Sequence, residues 1–150
     1  MKEAMNVAEK NLITNHGGPF GACIIKDGEI IASASNHVLK NNDPTAHAEI
    51  ETIREACQKL NTYDLSGCEL YTNCYPCPMC LSAIIWSNIK KVYYGNTKED
   101  AASIGFRDDF IYKCIQEKHD SSVIEFISIG REETIKAFEA FSKKEDKTIY

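Results

Sequence analysis

The chain has no basic surplus. Its 17 Lys and Arg residues stand against 22 Asp and Glu residues, a formal net charge of −5 over 150 residues. The lysines are scattered among acids rather than gathered in a stripe. A protein that lives on phosphate contacts needs such a stripe, so a large nucleic acid is disfavoured as a partner. No apolar run approaches membrane-spanning length. The opening MKEAMNVAEKNLITN lacks the apolar core of a signal peptide. Repeats, low-complexity tracts and linkers are missing as well, which suits one domain of this length.

What the chain does hold is cysteine, in an odd number. The seven are Cys23, Cys57, Cys68, Cys74, Cys77, Cys80 and Cys114. With no sign of secretion, the expectation is a reduced, cytoplasmic chain whose clustered cysteines serve metal or redox chemistry. Cys23, Cys57, Cys68 and Cys114 fall in apolar segments and read as core residues.

Hydrophobic spacing sets out the expected elements. Residues 1–14 carry Met5, Ala8, Leu12 and Ile13 at helical intervals. Phe20–Lys26 and Glu29–Ser35 read as strands around an Asp27-Gly28 hairpin turn. A polar loop from His37 to Thr45 precedes a helix over Ala46–Leu60, with Ala46, Ile50, Ile53 and Cys57 on one stripe and Asp43 or Thr45 as its cap. Cys68–Thr72 is a short strand. Pro78–Ser87 is an apolar helix with proline in its first turn. Ile89–Gly95 is a strand, Lys98–Ser103 and Asp108–Gln116 are helices, Val123–Ile129 is a strand and Glu132–Lys144 is a helix. Strands that alternate with helices imply an α/β fold, a mixed sheet with helices on both faces.

Two short clusters carry chemistry: His47-Ala48-Glu49, and Pro76-Cys77-Pro78-Met79-Cys80. Cys77 and Cys80 are three apart at a helix start, so both sulfurs lie on one side of the first turn. The positive end of the helix favours thiolates, the form that zinc binds. His47 adds a neutral imidazole. Two thiolates and one imidazole balance the charge of Zn²⁺ and leave a fourth tetrahedral position open, the mark of a catalytic rather than a structural site. Water in such a position is far more acidic than bulk water. Glu49, two residues beyond His47, can shuttle its proton to a substrate nitrogen. Cys74 extends the run to C-x-x-C-x-x-C; as a fourth ligand it would close the site.

The pattern H-x-E followed by P-C-x-x-C resembles the cytidine deaminase-like superfamily. GGPFGACIIKDG, NNDPTAHAEI and CPMCLSAIIW are similar to patterns in tRNA adenosine deaminases and cytosine deaminases too. AASIGFRDDFIYK and the terminal Tyr150 resemble the short bacterial guanine deaminase branch. That resemblance implies a three-layer α-β-α sandwich around a five-stranded mixed sheet. It implies His47, Cys77 and Cys80 as zinc ligands and Glu49 as proton shuttle. Asp108 would meet the leaving amino group and Asn36 would bind the base. Phe20 and Trp86 would be aromatic pocket residues, and Tyr150 would close the pocket. The substrate would be a small nucleobase. The C-terminal segment would be exchanged within a homodimer, so that Tyr150 serves the partner's site.

Plainer roles exist for several of these residues. Asp108 beside Asp109 can cap the helix that follows. Asn36 can end a strand, Phe20 and Trp86 can be core, and Tyr150 can belong to a frayed tail. Many superfamily members carry Glu directly before the proline of P-C-x-x-C; here Tyr75 stands there, and it cannot supply a carboxylate. Three rivals stay open: a guanosine or other aminopurine deaminase, a tRNA adenosine deaminase, and a non-catalytic zinc-stabilised module.

Overall fold

A computed structural model describes residues 1–106, 108–116 and 123–148. The chain divides into two compact units, residues 1–112 and 113–150. The first holds the sheet. Helix α1 (Lys2–Thr14) leads into β1 (Gly21–Lys26) and β2 (Glu29–Ser35), followed by a single turn, α2 (Val38–Asn41), and by α3 (Ala48–Leu60). Then come β3 (Glu69–Cys74), α4 (Pro78–Trp86), β4 (Lys91–Asn96), α5 (Lys98–Ser103) and α6 (Asp108–Gln116), and α7 (Arg131–Ser142) lies in the second unit.

The strand order is β2-β1-β3-β4. β1 runs antiparallel to both β2 and β3, whereas β3 and β4 are parallel. The parallel pair is joined by α4, as a crossover requires. The Asp27-Gly28 turn has both residues at positive φ, 51° and 83°. This mirror-image turn matches the twist of the flanking strands, and Asp-Gly is a favoured pair for it.

Alternate residues of β1 face opposite layers. Cys23 and Gly21 meet α1, while Ile24 joins Ala56 of α3, Leu70 of β3 and Ile84 of α4 in the main core. The sheet is therefore covered on both faces, in three layers. A β-carbon on Gly21 would strike the Ala4 carbonyl. Only glycine allows the approach at which α1 packs.

Two expectations need correction, the strand count and the start of α3, while the helix expected over residues 1–14 forms as α1. The described sheet has four strands, not five. Val123–Ile129 is apolar enough for a strand, but among the described residues it pairs with none, and propensity without a partner edge makes no ladder. The buried face of α1 is Ala4, Val7, Ala8 and Asn11, whereas Met5, Leu12 and Ile13 are exposed. Small side chains win that face because the helix must sit close to Gly21. Helix α3 starts at Ala48 with His47 as its N-cap, in extended conformation (φ −70°, ψ 155°). Asp43 does not cap it; its Oδ1 accepts from the Thr45 N–H at 2.8 Å and closes a local turn. Among the described residues no helix is long and apolar enough to cross a membrane.

Candidate active site

The site lies where three helix starts and two strand ends converge. His47 caps α3 and Cys77 caps α4, each with extended backbone that turns its side chain inward ahead of the helix. Pro78 takes the first position of α4, where its missing N–H costs nothing, and Cys80 follows within that turn. The His47 Nδ1 lies 3.6 Å from the Cys77 sulfur and 3.6 Å from the Cys80 sulfur. Tetrahedral zinc with ordinary Zn–S and Zn–N lengths sets such an N···S separation at about 3.6 Å. The donors therefore fit zinc in both chemistry and spacing, with Nδ1 as the histidine ligand. Among the described residues they form the one such cluster. Cys74 does not join it: its thiol donates to the Thr97 carbonyl at 3.5 Å, and burial pushes it up to about 11. Among the described residues the set stays at three protein donors.

The protonation of the cluster follows from its bonding. The close Cys80 and His47 groups hold the Cys77 thiol down to about 4, near the ordinary carboxylate range. Cys80 is pushed up in turn, by its Cys77 neighbour and by burial. The Cys77 sulfur raises the His47 imidazole above its usual value.

Glu49 lies in the first turn of α3, only 5% exposed. Its Oε1 accepts from the Thr72 hydroxyl at 3.1 Å, and its Oε2 accepts from the Cys80 thiol at 3.4 Å. Burial is the main cause that raises this carboxyl. A carboxyl so placed can hold a proton that an exposed one would lose.

A cavity of about 440 Å³ opens onto the cluster. Its lining includes Phe20, Asn36, His47, Glu49, Cys77 and Asp108, six of the nine residues proposed for the site. Cys80 lies beneath it, fully buried. Asn36 is buried at the end of β2, with its Oδ1 accepting the Val38 N–H at 3.1 Å. That bond fixes the orientation of the Asn36 amide at the cavity wall. Gly17 makes this packing possible, since a β-carbon there would overlap Asn36 Oδ1. Phe20 forms an edge-to-face pair with Phe106, centroids 4.7 Å apart, and Gly18 supports both rings.

Two residues stand apart from this arrangement. Trp86 ends α4, 64% exposed and outside the cavity lining. Nine positions along α4 separate it from Cys77, about 13 Å of rise, so Trp86 does not line this chain's cavity. Tyr150 lies outside the described residues.

The wall residue Phe106, and two asparagines that bond the backbone around the cavity, carry weak sequence signals. Phe106 sits inside the quoted GFRDDF stretch, but nothing in its local pattern separates wall from core. Asn11 is buried on α1, and its amide donates to the carbonyls of Gly18 at 2.9 Å and Asn36 at 2.7 Å. A polar residue on the buried face of a helix was its only signal. Asn73 bridges the Gly21 N–H and the Pro19 carbonyl, and so pins the strand that carries Phe20.

Residues 1–96 match the cytidine and deoxycytidylate deaminase zinc-binding region. The chain belongs to this deaminase family. Within the family it is 45% identical to a guanine deaminase of Bacillus subtilis, over all of this chain and 96% of that protein. The X-ray structure of Bacillus subtilis guanine deaminase superposes with a TM-score of 0.92, covering 99% of this chain and 95% of that one. A tRNA-specific adenosine deaminase of Aquifex aeolicus is 48% identical, but over 94 residues only, 63% of this chain and 59% of that protein. A guanine deaminase structure from Nitrosomonas europaea gives a TM-score of 0.68 at 33% identity, over 71% of this chain and 62% of that one. The zinc-binding region is thus shared with this family, and the Bacillus subtilis guanine deaminase is matched over the full length of this chain.

Proposed function

We propose that this chain is a cytoplasmic zinc-dependent guanine deaminase, which hydrolyses guanine to xanthine and ammonia. The observation that carries the reading is an open three-ligand cluster with a buried carboxylate beside it, in a family of zinc deaminases. The full-length likeness to a guanine deaminase selects the base. None of the seven cysteines is in a disulfide, which suits a reducing compartment.

When bound by His47, Cys77 and Cys80, Zn²⁺ supplies the charge that makes a water acidic near neutral pH. The chain's own groups do the rest. Glu49 Oε1 is held by Thr72, so Oε2 is the oxygen that takes and returns a proton. Once Cys80 is a thiolate it no longer donates to Oε2, which is then free for that work. Asp108 binds the amino group that leaves C2 as ammonia. The Asn36 amide nitrogen donates to an acceptor on the base edge. Phe20 and Phe106 offer edges and faces to a planar ring. A screen for ammonia release should give turnover with guanine, and little or none with guanosine, cytosine, cytidine or adenine. Equal turnover of guanosine, or none of guanine, would overturn the choice of substrate.

The functional form is a homodimer that exchanges its C-terminal segment, with Tyr150 closing the partner's pocket. Support comes from the apolar side chains left in solvent on the second unit: Ile127 is 74% exposed, Ile129 86% and Phe138 76%. Patches of this kind mark protein interfaces. On the first unit, β4 is an edge strand with exposed Tyr93 and Tyr94. Sedimentation should show a dimer, and deleting Tyr150 should lower kcat/KM for guanine by about ten-fold or more, since a lost pocket wall admits water. A monomer of full activity would end this part of the reading.

A further inference from the structure

We propose that Tyr112 is a positioning residue for Asp108, acting through the bond from its hydroxyl to the Pro76 carbonyl; this rests on the role given to Asp108 above. Asp108 is the first residue of α6 and Tyr112 follows one turn later. Residues four apart share a face of a helix. The Tyr112 hydroxyl donates to the Pro76 carbonyl at 2.9 Å.

Pro76 is buried and directly precedes the zinc ligand Cys77. Its carbonyl lies ahead of the N-cap of α4, where the helix's own bonding begins with Cys77. It is therefore free to serve as an anchor for another element. Pro76 and Pro78 both have a fixed φ, so the anchor is stiff. On the other side of the tyrosine, the Lys98 ammonium lies 5.5 Å from the ring centroid, within cation–π range. The ring is thus held from two directions, and α6 is tied to the loop that presents the metal ligands. The carboxylate at the head of α6 inherits that register. Asp108 shares the cavity wall with His47, Glu49 and Cys77, and the Tyr112 bond sets how far it stands from them.

Tyr112→Phe removes the hydroxyl and keeps the ring and its lysine contact. The expected result is a kcat lowered by about ten- to a hundred-fold, the cost of a misplaced reacting group. Zinc content should stay at one per chain, and the melting temperature should change little. Asp108→Asn should lower kcat by itself, and the double variant should be no slower than Asp108→Asn alone. A residue that acts through another shows this non-additivity. A merely structural tyrosine would instead lower the melting temperature, and its loss would multiply with that of Asp108→Asn. Multiplying losses, or a Tyr112→Phe variant of full kcat, would overturn the positioning role and leave Asp108 in place. An Asp108→Asn variant of full kcat would overturn the reading of Asp108 itself, and the positioning role with it.

Discussion

Glu49→Gln should leave zinc bound and lower turnover of guanine by about 10²–10⁴-fold, the usual worth of a positioned proton-transfer group. The substitution is nearly isosteric. A glutamine carbonyl can still accept the Thr72 hydroxyl now bound at 3.1 Å, so the first turn of α3 keeps its place. His47, Cys77 and Cys80 are untouched, and the ligand spacing that suits zinc persists. What is lost is an oxygen that can take a proton from water and pass it to the substrate's nitrogen. Glutamine cannot do so at any working pH. The 95% burial of Glu49 sharpens the expectation, because bulk solvent cannot easily replace the lost shuttle. Metal analysis and an ammonia assay on the same sample decide the matter. Zinc at one per chain with turnover near that of the unaltered enzyme would remove Glu49 from the chemistry. A non-catalytic zinc module predicts no change of any kind.

The residues legible in the sequence are those whose roles are set locally. H-x-E and P-C-x-x-C each lie within one turn of a helix start, so spacing alone brings their side chains to one side. That is why His47, Glu49, Cys77 and Cys80 meet as expected. The face of α1 was not legible, because hydrophobicity ranks side chains and says nothing of approach distance. Leu12 and Ile13 outrank Ala4 and Ala8, but the helix must pass close to Gly21, and only small residues fit. Val123–Ile129 shows the same limit for strands: alternation and β-branched content are local, and a pairing edge is not. Trp86 lies away from this chain's cavity for a third reason. It shares a helix with two ligands, but nine residues of helix carry it away from the cavity. Asn11, Thr72 and Tyr112 act through hydrogen bonds that span 25, 23 and 36 residues, and no pattern along the chain marks them.

Removing the metal should abolish turnover, and restoring Zn²⁺ should return it. The described cluster offers three protein ligands, and no other group in the cavity can substitute for a dication's charge on water. Zinc should also stabilise the fold: with free ion at a thousand times its Kd, linkage gives about 4 kcal/mol. The protonation of the metal-free cluster adds a second signature. Cys80 is raised and keeps its proton, and His47 is raised as well. Cys80 must lose its proton to bind and the raised His47 holds a proton more tightly against the ion, so loading should release about one proton per ion, and zinc affinity should fall as the pH is lowered. The ligand count can be tested with two variants. Cys80→Ser should lose zinc and activity together. Cys74→Ser should keep both, since its thiol faces the Thr97 carbonyl rather than the cluster. Zinc lost from Cys74→Ser would mean four protein ligands and a closed, structural site. Zinc kept there and lost from Cys80→Ser would leave the fourth position to water, as hydrolysis requires.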